Sequence, residues 1–159
     1  MPKPRVYVET TIPNFYYDGR TDPAIVERRN RTREWWSVAE RDYELVTGAP
    51  VLAELLAGIT PRVDSRVRLV SLLPVLIPDA AVDETVEVYL RHKLMPSRPS
   101  ADAEHLALAS HRDCDFIVTW NCRHLANPNK ARHVAGINRM LGLPVPTIAT
   151  PWNLLRRMG

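Results

Sequence analysis

The chain has 159 residues, 45% hydrophobic and 25% charged, the ordinary composition of one soluble domain with a core of its own, and a second domain is not expected. Twenty-one Lys and Arg against 18 Asp and Glu leave a net charge of +3, too mild to name a partner by itself. No apolar run reaches the length of a membrane span, and MPKPRVYVET passes into a strand-like segment rather than a signal peptide. Cys114 and Cys122 are too few and too arbitrarily spaced for a disulfide framework, so free thiols and a cytoplasmic location are expected.

Arg5 to Val8 reads as a first strand, because Val6 and Val8 are β-branched and Tyr7 is aromatic, with a Thr-Thr-Ile-Pro turn after Glu9. Asp22-Pro23 starts a helix to about Asp42, with Ile25, Val26, Trp35, Trp36 and Ala39 as its apolar face. Glu44 to Thr47 is a short second strand closed by Gly48, and Pro50 opens the helix VLAELLAGI. Its buried stripe is expected to be Val51, Leu52, Leu55, Leu56 and Ile59, with Glu54 off the stripe and free to face a cleft. Thr60-Pro61 ends it, and a further helix runs from about Arg62 to Leu72.

Pro74 to Ile77 is a weak strand, followed by a helix near Ala80 to Leu94 on which Val82, Val86, Tyr89, Leu90 and Lys93 recur at helical spacing. MPSRPS is the clearest loop. Ser100 is a plausible N-cap for ADAEHLALASH, which places Asp102 and His105 in its opening turns, where the positive helix end favours Asp102. Asp115 to Trp120 is a strand ended by Asn121, a helix spans about Lys130 to Leu141 before Gly142, and Thr147 to Thr150 makes a last strand before WNLLRRM. Sustained β/α alternation predicts an α/β fold, a parallel sheet with right-handed crossovers and helices on both faces.

Glu9, Glu54 and Asp102 therefore stand at strand ends or early in helices, where parallel α/β folds gather their sites, and Asn121 follows a strand-like run. They suggest one acidic pocket for a hard metal ion, the chemistry of a metal-dependent phosphodiesterase acting on RNA. Arg20, Arg28, Arg29, Arg31 and Arg33 crowd one stretch, and Arg123, Lys130, Arg132 and Arg139 another; basic flanks around an acidic pocket suit a phosphate polymer.

VYVETTI, VLAEL, ADAEHLALA and DFIVTWNCRHLAN together resemble, in order and over nearly the whole chain, the PIN domain family, in particular its VapC-like stand-alone toxin ribonucleases of type II toxin–antitoxin systems. The resemblance implies a three-layer α/β/α fold in one nuclease domain over 1–159, Mg²⁺ or Mn²⁺ as cofactor, RNA cleavage, an antitoxin partner and a homodimer, with the early helices as the candidate interface. Position by position, it makes Glu9 the acid ending the first strand, where most members carry Asp. Thr10 and Thr11 are then the hydroxyl residues after it, Glu54 and Asp102 the helical acids, and Asn121 stands where many members carry Asp.

The roles that follow are Glu9 and Asp102 as metal ligands, Glu54 as a ligand through water or a general base, and Asn121 with Thr10 or Thr119 as positioning groups. Asn in place of Asp leaves three formal negative charges, which favours one tightly held ion, and predicts that Asn121→Asp tightens metal binding. His105 is a supporting candidate, though a histidine among apolar helix residues is more often a satisfied core residue. Cys122 and His124 without a second cluster make a weak zinc signal.

Phe15, Tyr16 and Tyr17 could stack bases, or equally form a hydrophobic lid or dimer contact, and Arg123 could contact RNA. The Arg28 to Arg33 run reads first as a solvated helix face, with phosphate or an acidic antitoxin segment as the sharper alternative, and Trp35 and Trp36 as anchors. Two other functions remain open: an RNA-binding module without turnover, and a phosphatase, against which Glu9-Thr10-Thr11 offers no D-x-D nucleophile turn.

Overall fold

The computed structural model describes residues 2–59, 61–95 and 100–158. Thr60, at the expected helix end, and Pro96 to Pro99, within the expected MPSRPS loop, lie outside the described residues. Five strands form one all-parallel sheet: β1 (Arg5–Val8), β2 (Glu44–Gly48), β3 (Val75–Leu76), β4 (Phe116–Val118) and β5 (Thr147–Ala149). Their order is β3-β2-β1-β4-β5, so the chain builds one half of the sheet outward from β1 and then crosses to build the other. Val6 faces Leu45 on one side and Phe116 on the other; Tyr7 faces Val46 and Ile117. This central position explains why Val6, Tyr7 and Val8 are wholly buried and why the run reads as continuously apolar rather than alternating.

The helices are α1 (Thr11–Tyr16), α2 (Pro23–Asp42), α3 (Ala49–Ala57), α4 (Val63–Ser71), α5 (Ala80–Arg91), α6 (Ala101–His111), α7 (Pro128–Met140) and α8 (Pro151–Met158). Helix α5 packs on α6, α2 on both α1 and α8, and α3 on α4 and α6, giving the expected α/β/α architecture. Asp22, Asp79 and Asn127 cap α2, α5 and α7 by accepting the backbone N–H of Ala24, Val82 and Asn129. No described helix is long and apolar enough to cross a membrane. Cys114 is buried and Cys122 exposed, both free thiols.

Several local expectations need correction. The Thr-Thr-Ile-Pro segment is not a turn but the start of α1, because Pro13 lies in the first helical turn, where its missing N–H has no partner to lose. Leu56 is 67% exposed and Ile59 fully so: α3 ends at Ala57, so its last turn overhangs the core and the stripe closes with Val51 and Leu55. Lys93 is exposed beyond the end of α5 with a left-handed backbone, φ 55°. Strand β4 ends at Val118, three residues before Asn121, although the Thr119 N–H still bonds the Ala149 carbonyl. Ser100 precedes α6, but its hydroxyl donates to Glu104 instead of capping a backbone N–H.

Candidate active site

The sheet order changes direction between β1 and β4, and a crevice opens at the carboxyl ends of such a pair. Glu9 follows β1 there and Thr119 follows β4. The Glu9 N–H bonds the Val118 carbonyl, which holds the two strand ends together. Glu9 is 3% exposed, and its Oε1 accepts from the Thr11 N–H at 2.9 Å, the Thr11 hydroxyl at 2.5 Å and the Thr119 hydroxyl at 2.7 Å. Burial nevertheless raises the Glu9 carboxyl above its usual range, against the opposing pull of His105 and these hydrogen bonds.

The same hydroxyls reach the turn after β4. Thr11 Oγ1 accepts the Trp120 N–H at 2.8 Å, and Thr119 Oγ1 accepts the Asn121 N–H at 2.9 Å. Asn121 Nδ2 then donates to Asp102 Oδ1 at 3.1 Å, while its Oδ1 accepts the His124 N–H. One oxygen of Asp102 is thus fixed by an amide whose own oxygen is spent on its loop. Trp120 ties that loop to α2 by donating its indole N–H to Thr32 Oγ1 at 2.7 Å.

A second network carries Glu54. Its Oε1 accepts from the Thr10 hydroxyl at 2.6 Å and pairs with His105 Nε2 at 2.5 Å. His105 is wholly buried, and its Nδ1 meets the Tyr7 hydroxyl at 2.8 Å. Burial disfavours the imidazolium, but the bond to Glu54 and the negative charges of Glu9, Glu54 and Asp102 outweigh it and raise His105 above its ordinary value. Burial likewise pushes Glu54 up, yet His105 and Thr10 outweigh it and leave its carboxyl below the usual range. Burial drives the Tyr7 hydroxyl well above its normal value, so Tyr7 stays a neutral phenol.

His105 therefore couples by charge to all three acids. Each acid also commits only one oxygen to the protein: Glu9 Oε2, Glu54 Oε2 and Asp102 Oδ2 accept no hydrogen bond from the described residues. Three hard carboxylate oxygens left over in this way suit Mg²⁺ or Mn²⁺ in kind. They are not a preformed cage, since among the described residues no three His, Cys, Asp or Glu side chains gather into a metal-holding group. The same holds for Cys122 and His124.

Tyr16, Tyr17 and Arg123 stand outside these networks. Tyr16 packs on Tyr17 and Trp36 beneath the Arg33 guanidinium, and Arg123 is exposed in the turn after Asn121. The arginine run of α2 is not one solvated face. Arg28 lies over Phe15 and Trp120, Arg31 pairs with Glu27 and Glu34, and Arg29 and Arg33 turn toward α1. Tyr7 and Trp120 were not expected among the site's residues, and Thr11 proves as central as Thr119. An aromatic with a polar tip in an otherwise valine strand was the only sign of Tyr7.

A family model for the PIN domain matches residues 23–126, a segment that contains Glu54, Asp102 and Asn121 but not Glu9. A comparison with curated protein sequences gives no significant match. Among solved structures, the fold resembles VapBC2 from Rickettsia felis, bound to a DNA fragment from its promoter, at TM-score 0.56 and 12% identity over 92% of this chain and 98% of that one. VapC20 of Mycobacterium tuberculosis, a toxin that cleaves the sarcin-ricin loop, superposes at TM-score 0.57 and 16% identity over 75% and 92% of the two chains. FitAcB from Neisseria gonorrhoeae gives TM-score 0.52 and 12% identity over 92% and 98%. With the family model covering well over half of its length, the chain belongs to the PIN domain family.

Proposed function

We propose that this chain is a single-domain, Mg²⁺- or Mn²⁺-dependent endoribonuclease, the toxin of a type II toxin–antitoxin pair. The observation that carries the reading is the set of three carboxylates, each fixed through one oxygen and left with another to give, around a buried histidine at the switch point of the sheet. A divalent ion held by Glu9, Asp102 and Glu54 would supply an acidified water and charge stabilisation for the phosphoryl group. Three ionised carboxylates around a single divalent ion would leave a net charge of about −1.

The protein's own part is to aim these oxygens. Thr11 and Thr119 fix Glu9, Asn121 fixes Asp102, and Thr10 with His105 fixes Glu54. A Glu54 carboxyl held below its usual range suits a ligand better than a general base, which works best with a proton affinity near the working pH. Tyr7 holds the far side of His105 and so keeps the ring from turning away from Glu54.

The similarity to VapC20, a toxin that cleaves the sarcin-ricin loop, supports RNA as substrate, and the VapBC2 assembly supports a partner protein. A homodimer is part of the same proposal and is checked by mass in solution. Labelled tRNA and rRNA incubated with Mg²⁺, Mn²⁺ or chelator test the chemistry: cleavage with either metal and none in chelator is expected. Asp102→Asn should lower the rate by at least about a hundredfold, the scale set by loss of a group that fixes a catalytic ion. Wild-type cleavage by Asp102→Asn ends the metal mechanism, and RNA binding without any metal-dependent cleavage leaves a binding module.

A further inference from the structure

A cavity of about 770 Å³ opens beside α1, between the start of α2 and the start of α4, and five arginines line it: Arg20, Arg29, Arg33, Arg62 and Arg66. Asp18 is the sole acid in that lining, and it is already gripped through both oxygens by the Arg20 side chain. The remaining positive charge has no counterpart in the wall. Arg66 is only 6% exposed, donates one N–H to the Pro61 carbonyl, and leaves its Nε without an acceptor among the described residues. Arg29 likewise leaves a buried Nε unpaired, with one other N–H on the Asp18 carbonyl. Burial lowers the Arg66 guanidinium from its ordinary value and neighbouring Arg62 adds to this, while Asp18 only partly compensates.

Buried donors of this kind are rare, and a buried cation short of partners is costly, so the buried Arg66 and the half-buried Arg29 in one cavity wall make that wall a favourable place for an anion. We infer that this cavity is a phosphate-binding subsite, in which the Arg66 and Arg29 guanidiniums receive a backbone phosphate of single-stranded RNA a short way along the strand from the cleaved bond. A guanidinium meets phosphate with paired N–H groups, and several around one oxyanion form the usual phosphate clamp. The location agrees with this role. Helix α1 carries Thr11 at its catalytic end and Asn14 on the cavity wall, about 4.5 Å further along by helical rise, with Tyr17 just past its last turn at about 9 Å. Tyr17 also presents a ring on which a base next to that phosphate can stack.

The inference rests on the nuclease reading for its ligand, so the test reads binding rather than cleavage. Labelled single-stranded RNA is titrated by fluorescence anisotropy in chelator over a series of salt concentrations, with wild type, Arg66→Met, Arg29→Met and Arg62→Gln. Each substitution is expected to weaken binding by about tenfold near physiological salt and to lower the log–log salt slope by about one, as loss of one phosphate contact does. Inorganic phosphate should raise the melting temperature of wild type and not of Arg66→Met. Should Arg66→Met fail to fold, the Arg29 and Arg62 variants, on the more open wall, carry the same expectation.

Unchanged affinity and slope in the folded variants overturn the subsite. So does a poly-glutamate peptide that binds wild type in an Arg66-dependent way while RNA does not compete, which would make the ligand a protein carboxylate. Failure of the nuclease reading looks different: no cleavage by wild type, with RNA binding still dependent on Arg66 and Arg29.

Discussion

At the scale of single residues, the departure at Asn121 carries more structure than its position suggested. Its amide donates to Asp102 Oδ1, so Asn121→Asp would exchange that donor for a second negative charge facing Asp102. Two opposite effects are expected from this one substitution. In chelator the variant should melt lower than wild type, because two carboxylates face each other unpaired. With Mg²⁺ it should gain more thermal stability than wild type does, because the added charge strengthens cation binding. Calorimetric scans with and without metal check both, and equal Mg²⁺-induced shifts would show that position 121 is outside the ion's reach.

Elements were legible in the sequence wherever local chemistry agreed with packing, and were missed where a neighbour decided. Strand β1, helix α2 with its Asp22-Pro23 start, and the α/β alternation follow from β-branched runs, caps and periodicity. The extra turn taken as α1 did not, since Pro13 reads as a breaker until its place in the first helical turn is known. The arginines of α2 read as one solvated face because helical spacing says nothing of α1, where the Tyr16 carbonyl and the Asp18 carbonyl just past its end take hydrogen bonds from Arg33 and Arg29. Glu9, Glu54 and Asp102 could be picked out because acids at such ends are chemically conspicuous. Tyr7 could not, because its role comes from His105, which crosses to it from α6.

Gly48 is a case of this kind at the joint of β2 and α3. Its backbone angles, φ −130° and ψ 155°, are open to any residue, so conformation does not demand glycine. Space does: a Cβ there would fall within 3.0 Å of Tyr7 Oη and Cε2 and of Leu108 Cδ2. Gly48→Ala is expected to cost about 1–3 kcal/mol in urea unfolding, the price of overpacking, and to displace the phenol that holds His105. Wild-type stability in this variant would mean that Tyr7 moves aside without loss.

For the whole molecule, the site's charges set how stability answers pH. His105 is raised in the fold, so its contribution is complete below its unfolded value of 6.5 and is lost as pH rises through the folded one. Glu9, also raised, contributes in the same sense at lower pH, losing stability as it ionises upward from 4.5. Glu54 is lowered, so its share is present above 4.5 and lost as pH falls through its folded value. Melting temperatures in chelator should therefore decline as pH climbs beyond about 6.5, and His105→Gln, which cannot titrate, should flatten that decline. Parallel profiles for the two proteins would remove His105 from the account.

The contact between Thr119 and Glu9 joins residues 110 positions apart, and β1 is flanked on one side by β2 and on the other by β4. Such distant pairings are late events in folding, because loop closure must come before they reward the chain. A growing polypeptide that has not yet extended past Asn121 lacks one wall of the crevice, the Thr119 hydroxyl that supports Glu9 and the Asn121 amide that supports Asp102. Synthesis is thus a timer of its own: Glu9 and Asp102 are set in place only when β4 and the turn after it close against the strand made first.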